Sequence, residues 1–285
     1  MLKHRLLFGA LMTAGFGSVV ILDGRLDGSL TASMPDKAVQ GTLLCILIAA
    51  LALPTQLELS KLAAAKNLRI FVPVAAIASI LLATAWYWPQ LIDIRPGLYL
   101  PVVSALVLPA LLLCQYFSCG TSGVLANCGA SLLAIYYLGI LSCFVLAIRI
   151  DFGLWTLLMF VCVVKCSDIG AWAVGRKLGK HKFSPRISPG KTWEGIAGAV
   201  GASLLVAVLF AVFCKIMAWP AALIFGLCFA FIGQLGDLAE SMIKRDSEQK
   251  DSANKVPGFG GILDIIDSPL MAAPFAYLFF VFFAK

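Results

Sequence analysis

Five acids and a group of lysines carry the chemistry this sequence could do. In "FIGQLGDLAESMIKRD", Asp237, Glu240, Ser241 and Lys244 are spaced i, i+3, i+4, i+7 and share one helix face. Asp264 and Asp267 in "GFGGILDIIDS" are an i, i+3 pair at the start of the last apolar run. Asp168 lies inside an apolar run with Lys165 one turn before it. Anions in such surroundings are costly and require a cation partner, either a lysine or a metal. Taken singly, each pair has a structural account as a salt bridge or as N-terminal capping. Taken together, carboxylates fit for Mg²⁺ beside cations fit for phosphate suit phosphoryl or nucleotidyl transfer.

The stretch "SPRISPGKTWEG" adds to this. Ser188, Lys191 and Thr192 stand directly before a predicted helix, where backbone N–H groups and the helix dipole favour an anion. The string shares a GKT with the P-loop, but Pro185 stands where that motif has its first glycine, and no strand is expected before it. The expectation is phosphate binding without a P-loop fold. The chain has only two histidines, His4 and His181, so acyl transfer by a Ser-His-Asp set has no candidate. Nine cysteines form no CxxC pair and read as small apolar core residues.

The elements that must position these groups are membrane helices. The 285 residues are 61% apolar and 13% charged, against about 45–50% and about 25% in soluble domains. Apolar runs near the roughly 20 residues of a spanning helix recur along the chain. They fall at roughly 6–22, 39–57, 70–88, 99–117, 123–148, 153–174, 194–217, 219–240 and 269–284. The fold class is therefore an all-α polytopic membrane protein of about nine spans, with a range of about eight to ten. Residues 1–150 form an N-terminal set of spans, and residues 151–285 form a catalytic membrane region holding all the acids above.

Charge sets the orientation. With the N-terminus inside, inner segments hold 15 Lys and Arg and outer ones hold six, Arg149 among the latter. The two most charged loops, 175–193 and 241–268, then share the cytoplasmic face. The net charge of +7 belongs to this asymmetry and to anionic lipid rather than to nucleic acid.

These segments together resemble the phosphatidate cytidylyltransferase (CDP-diacylglycerol synthase) family. Ser241, Lys244, Arg245, Lys250, Asp251, Pro257, Gly258, Gly260, Gly261, Asp264 and Asp267 fit that family's signature in register. The upstream "SDIGAWAVGRKLGKHKFSPRISPGKTWEG" is also similar. Phe259 stands where the family has histidine and Ile265 where it has arginine, with Val256 a milder departure; no carboxylate is lost.

The resemblance implies that a phosphatidate oxygen attacks the α-phosphorus of CTP, giving CDP-diacylglycerol and pyrophosphate in phospholipid biosynthesis. It implies Mg²⁺, with room for a second cation, held by Asp237, Asp264 and Asp267, with Asp168 and Glu240 nearby. Lys244, Arg245 and Lys250 would hold the lipid phosphate or pyrophosphate, beside Asp251. The implied partners are CTP, phosphatidate and the bilayer, with a homodimer compatible. The implied location is a cell inner membrane, with the site facing the cytoplasm. Two other readings use the same residues: a CTP-dependent membrane enzyme with another lipid acceptor, and a non-enzymatic membrane carrier.

Overall fold

The computed structural model describes residues 2–30, 37–92, 96–249, 251–253 and 260–284. It is built from α1 (Leu2–Leu26), α2 (Thr42–Ala64), α3 (Val72–Ala83), α4 (Pro96–Cys119), α5 (Val124–Ile135), α6 (Leu141–Phe152), α7 (Leu154–Leu178), α8 (Trp193–Cys214), α9 (Trp219–Asp246) and α10 (Leu263–Phe283). A π turn, Tyr136–Ile140, joins α5 to α6 without a break, so nine helical rods correspond to the nine expected spans. Among the described residues, seven are long and apolar enough to cross a membrane, and the chain is a multi-pass membrane protein.

Three differences from the sequence reading have local causes. Pro54 does not end α2: the Thr55 hydroxyl donates to the carbonyls of Leu51 and Ala52, holding the turn beside the proline. The third span is short at 12 residues. Its C-terminal turn is closed by Thr84, which donates to Ile80 and accepts from the Trp88 indole. The basic loop between α7 and α8 is not irregular but an antiparallel hairpin, β1 (Lys182–Ser184) against β2 (Ser188–Thr192).

α7 and α8 pack at close range because glycines face each other. A side chain on Gly170 would strike the Gly198 carbonyl, and one on Gly198 would strike that of Gly170. The core beside them is aromatic: Phe225 of α9 stacks on Phe229 and on Phe280 of α10, with ring centroids 4.1 and 5.1 Å apart.

The bundle has two polar ends. At one end, α7 and α8 meet the hairpin, and α9 runs into the segment that leads to α10. Arg245 donates to the Ile187 carbonyl at 3.3 Å, and Lys66 pairs with Glu248 at 3.1 Å. The hairpin, the α2–α3 connection and the α9–α10 segment therefore share that end. At the other end Arg149 is not a loop charge. It is fully buried and bonded to Asp23 at 3.1 Å and Asp27 at 2.6 Å, tying α6 to the end of α1. Asp23 in turn accepts from the Leu43 amide at the start of α2.

Candidate functional site

The i, i+3, i+4, i+7 face of α9 points into the polar end of the bundle, and α10 crosses it there. The sequence reading starts the last span at 269, but α10 begins at Leu263, so Asp264 lies in its first turn and Asp267 one turn further in. Pro269 lies inside α10 past its first turn, so its missing N–H leaves the Ile265 carbonyl without the usual intrahelical donor.

Asp237, Glu240 and Asp267 converge: each offers a carboxylate oxygen, all within 4.8 Å of one another. Glu240 and Asp267 are buried, and Asp237 is the member open to solvent. Cations reach two of the three. Lys191, at the end of β2, pairs with Asp237 at 2.7 Å and also donates to the Gln234 carbonyl. Lys244 pairs with Glu240. Asp267, 3% exposed, has no ion pair among the described residues. A buried unpaired carboxylate aimed at two others calls for a cation, and an all-oxygen donor set suits a hard divalent ion such as Mg²⁺.

The other expected residues are placed as follows. Asp168 pairs with Lys165 at 3.7 Å and accepts from the Gln234 amide at 3.1 Å, beside the trio but outside it. Asp264, expected as a metal ligand, lies outside the trio. Its Oδ1 accepts from Lys244, and its Oδ2 from the Ser252 amide and hydroxyl and the Gly261 amide. Glu240, expected nearby, stands in the trio. Ser241 donates to Asp237 at 3.5 Å.

In the hairpin, Ser188 is half-buried and free to face a ligand, whereas Thr192 is buried and its hydroxyl caps α8 by accepting from Gly195. Arg245 is exposed and braces the hairpin, its guanidinium spanning the Ile187 and Gln249 carbonyls. Asp251 is exposed. Lys250, Val256, Pro257, Gly258 and Phe259 lie outside the described residues; Ile265 is half-buried on α10.

Sequence reasoning missed Glu58, Gln234 and Ser252. Glu58 is a fully buried acid in α2 that accepts from the Leu263 amide at 3.0 Å, 205 residues away in sequence. A single acid in "PTQLELSKL" carried the only available signal, a charge inside an apolar run. Gln234 lies one turn before Asp237, within the apolar run 219–240.

What the arrangement can do is hold a divalent cation between α9 and α10, with lysines on either side to meet phosphate oxygens. The model of a group described as "Cytidylyltransferase family" matches residues 35–283. The chain is 42% identical over 156 residues to a phosphatidate cytidylyltransferase of Bacillus subtilis (strain 168), covering 53% of this chain and 58% of that protein. It is 41% identical over 135 residues to a protein of the same name from Haemophilus influenzae, covering 46% and 47%. A third relative of that name, from Synechocystis, is 46% identical over 127 residues, covering 44% and 43%. The matched region spans about half the length of these curated relatives.

Proposed function

The chain belongs to the cytidylyltransferase family, and on that premise we propose that it transfers the cytidylyl group of CTP to phosphatidate. The name these relatives share, phosphatidate cytidylyltransferase, supports the lipid acceptor. The observation that carries the reading is the buried carboxylate trio at one polar end of the membrane helices, with Lys191 and Lys244 on its flanks.

In this reading a phosphatidate oxygen forms a bond to the α-phosphorus of CTP, the bond from that phosphorus to the β-phosphate oxygen breaks, and pyrophosphate leaves. The attacking oxygen is already anionic at neutral pH, so no general base is needed, which suits a site without histidine. Asp237, Glu240 and Asp267 would hold Mg²⁺, which when bound neutralises charge on the nucleotide phosphates. Lys191 exchanges Asp237 for a phosphate oxygen, and the polar Ser188 beside it orients the same group. Lys244 bridges Glu240 and Asp264 and adds positive charge near the reacting phosphates. Arg245 and Asp251 form the outer rim that meets the lipid headgroup, and Lys250 would add a cation for the lipid phosphate.

We further propose that this end faces the cytoplasm of a bacterial inner membrane, a placement supported by the 15-to-6 distribution of Lys and Arg. A homodimer belongs to the same proposal, with α4, 11% of whose span is buried, the least covered of the seven spans.

The test is transfer of labelled cytidylyl into lipid by purified protein in micelles with phosphatidate, CTP and Mg²⁺. Labelling that EDTA abolishes supports the reading. Labelling of a different lipid, or CTP binding without labelling of any lipid, would overturn the phosphatidate assignment.

A further inference from the structure

We infer that Glu58, in the N-terminal half of the chain, is a positioning residue for the metal-binding trio. This rests on the trio holding a divalent cation as read above. Glu58 sits on α2 with its side chain fully buried. One carboxylate oxygen accepts from the Ile262 amide at 3.2 Å. The other accepts from the Leu263 amide at 3.0 Å and from the Ser252 hydroxyl at 3.3 Å. The first N–H groups of a helix have no partner within it and carry its positive end. Ile262, the residue before α10, has no side-chain oxygen that could accept from these groups. A carboxylate from another helix supplies the missing acceptors.

The geometry makes this more than a local cap. The Ser252 hydroxyl lies 2.8 Å from an Asp264 oxygen and 3.3 Å from a Glu58 oxygen, so its one proton is shared between the two acids and joins them. Asp264 holds Lys244, which holds Glu240 of the trio. Gly261 is wedged between Ser252 and Glu58 with no room for a side chain, which fixes how deeply the segment seats on α2. Asp267 stands one turn from Asp264 on the helix that Glu58 anchors. The depth and rotation of α10 decide whether Asp267 reaches Asp237 and Glu240, because those two project from a different helix. Glu58 therefore ties the acids of the catalytic region to a helix outside it.

Glu58→Gln tests this, since it keeps the size and one acceptor oxygen but turns the other acceptor into a donor facing backbone N–H groups or the Ser252 hydroxyl. Full-length protein in micelles would be titrated with Mn²⁺ followed by electron paramagnetic resonance, and hydrogen exchange would be read over residues 260–267. The expected result is faster exchange at the start of α10 and Mn²⁺ affinity lower by about tenfold or more, as seen when groups that orient metal ligands are lost. Folded Glu58→Gln protein with faster exchange but wild-type Mn²⁺ affinity would overturn the inference and leave Glu58 a cap alone. If Glu58→Gln does not fold, Ser252→Ala decides: a smaller loss of Mn²⁺ affinity supports the inference, and wild-type affinity overturns it. Wild-type protein that binds no Mn²⁺ would sink the metal reading and this inference together. Wild-type protein that binds Mn²⁺ yet transfers no cytidylyl group would fail only the proposed reaction, and the Mn²⁺ comparison would still decide the role of Glu58.

Discussion

Lys191 and Asp237 form a 2.7 Å ion pair that joins the hairpin to the carboxylate trio. The lysine is the penultimate residue of β2, at the end away from the hairpin turn, and the aspartate is the trio member most open to solvent. A cation held at the mouth of an anionic site by an exposed acid can be drawn away by phosphate at little cost, since partly exposed ion pairs contribute about 0–1 kcal/mol.

Lys191→Met should therefore leave the fold intact and weaken CTP binding. Charge-assisted hydrogen bonds contribute about 1.5–3 kcal/mol, so the KM for CTP should rise by roughly tenfold to a hundredfold. Steady-state kinetics with labelled CTP at saturating phosphatidate would show it. An unchanged KM would remove Lys191 from nucleotide binding.

Substitution within the acidic set should separate two roles. Asp267→Asn removes a buried charge that has no ion pair among the described residues, so the variant should melt no lower than wild type, and at higher temperature if burial of that charge is costly in the absence of metal. It should also lose Mn²⁺ affinity and turnover by more than a hundredfold. Asp264→Asn should melt lower, because Lys244 loses a partner and the bonds from Ser252 and Gly261 are disturbed. Its Mn²⁺ affinity should fall less than that of Asp267→Asn. Parallel thermal melts and Mn²⁺ titrations check both, and the reverse order of affinities would return Asp264 to the metal set.

Much of this architecture was legible in the sequence because two signals are strong. Apolar runs of spanning length mark the rods, and acids at i, i+3 inside them mark the site. Asp237, Glu240 and Asp267 were all named from spacing, although which of the five acids would meet was not readable. That depends on where α10 begins. Pro269 and the glycines at 258, 260 and 261 suggest a late start, whereas the bonds from Glu58 and Asp264 to the segment amides start the helix at Leu263. The Glu58 bonds join residues 204 and 205 apart, and no local pattern reports them. The hairpin was missed for a similar reason: Pro185, Pro189 and Gly190 read as loop, and the pairing is set by α7 and α8 arriving side by side. Thr192 was read as a phosphate ligand because a hydroxyl before a helix serves capping and anion binding equally well, and here it caps.

Arg149 carries the largest stability prediction. Both of its acid partners are buried with it. Arg149→Met would strand two carboxylates away from water, and breaking a buried pair in this way costs about 3–5 kcal/mol. Arg149→Lys should recover only part of that, since an ammonium cannot span Asp23 and Asp27 as the planar guanidinium does. Unfolding of the two variants in mixed micelles of graded denaturing detergent would rank them. Equal stability of Arg149→Met and wild type would show that the knot at this end of the bundle is not what holds α1 to α6.

The approach of α7 to α8 gives the last prediction. Gly170 and Gly198 bring the two backbones together where no Cβ fits, and the hairpin that carries Lys191 hangs from the ends of these same helices. Gly198→Val should push α8 outward, because the opposing atoms include a backbone carbonyl that cannot rotate away. Overpacking of this kind costs about 1–3 kcal/mol. The displacement should also carry Lys191 away from Asp237. The variant should therefore lose CTP affinity as well as stability, whereas Gly201→Val, at a position with open space around it, should lose neither. A Gly198→Val protein that is destabilised yet binds CTP like wild type would show that the hairpin is positioned by its own contacts, such as the bond from Arg245 to Ile187, and not by the helix pair beneath it.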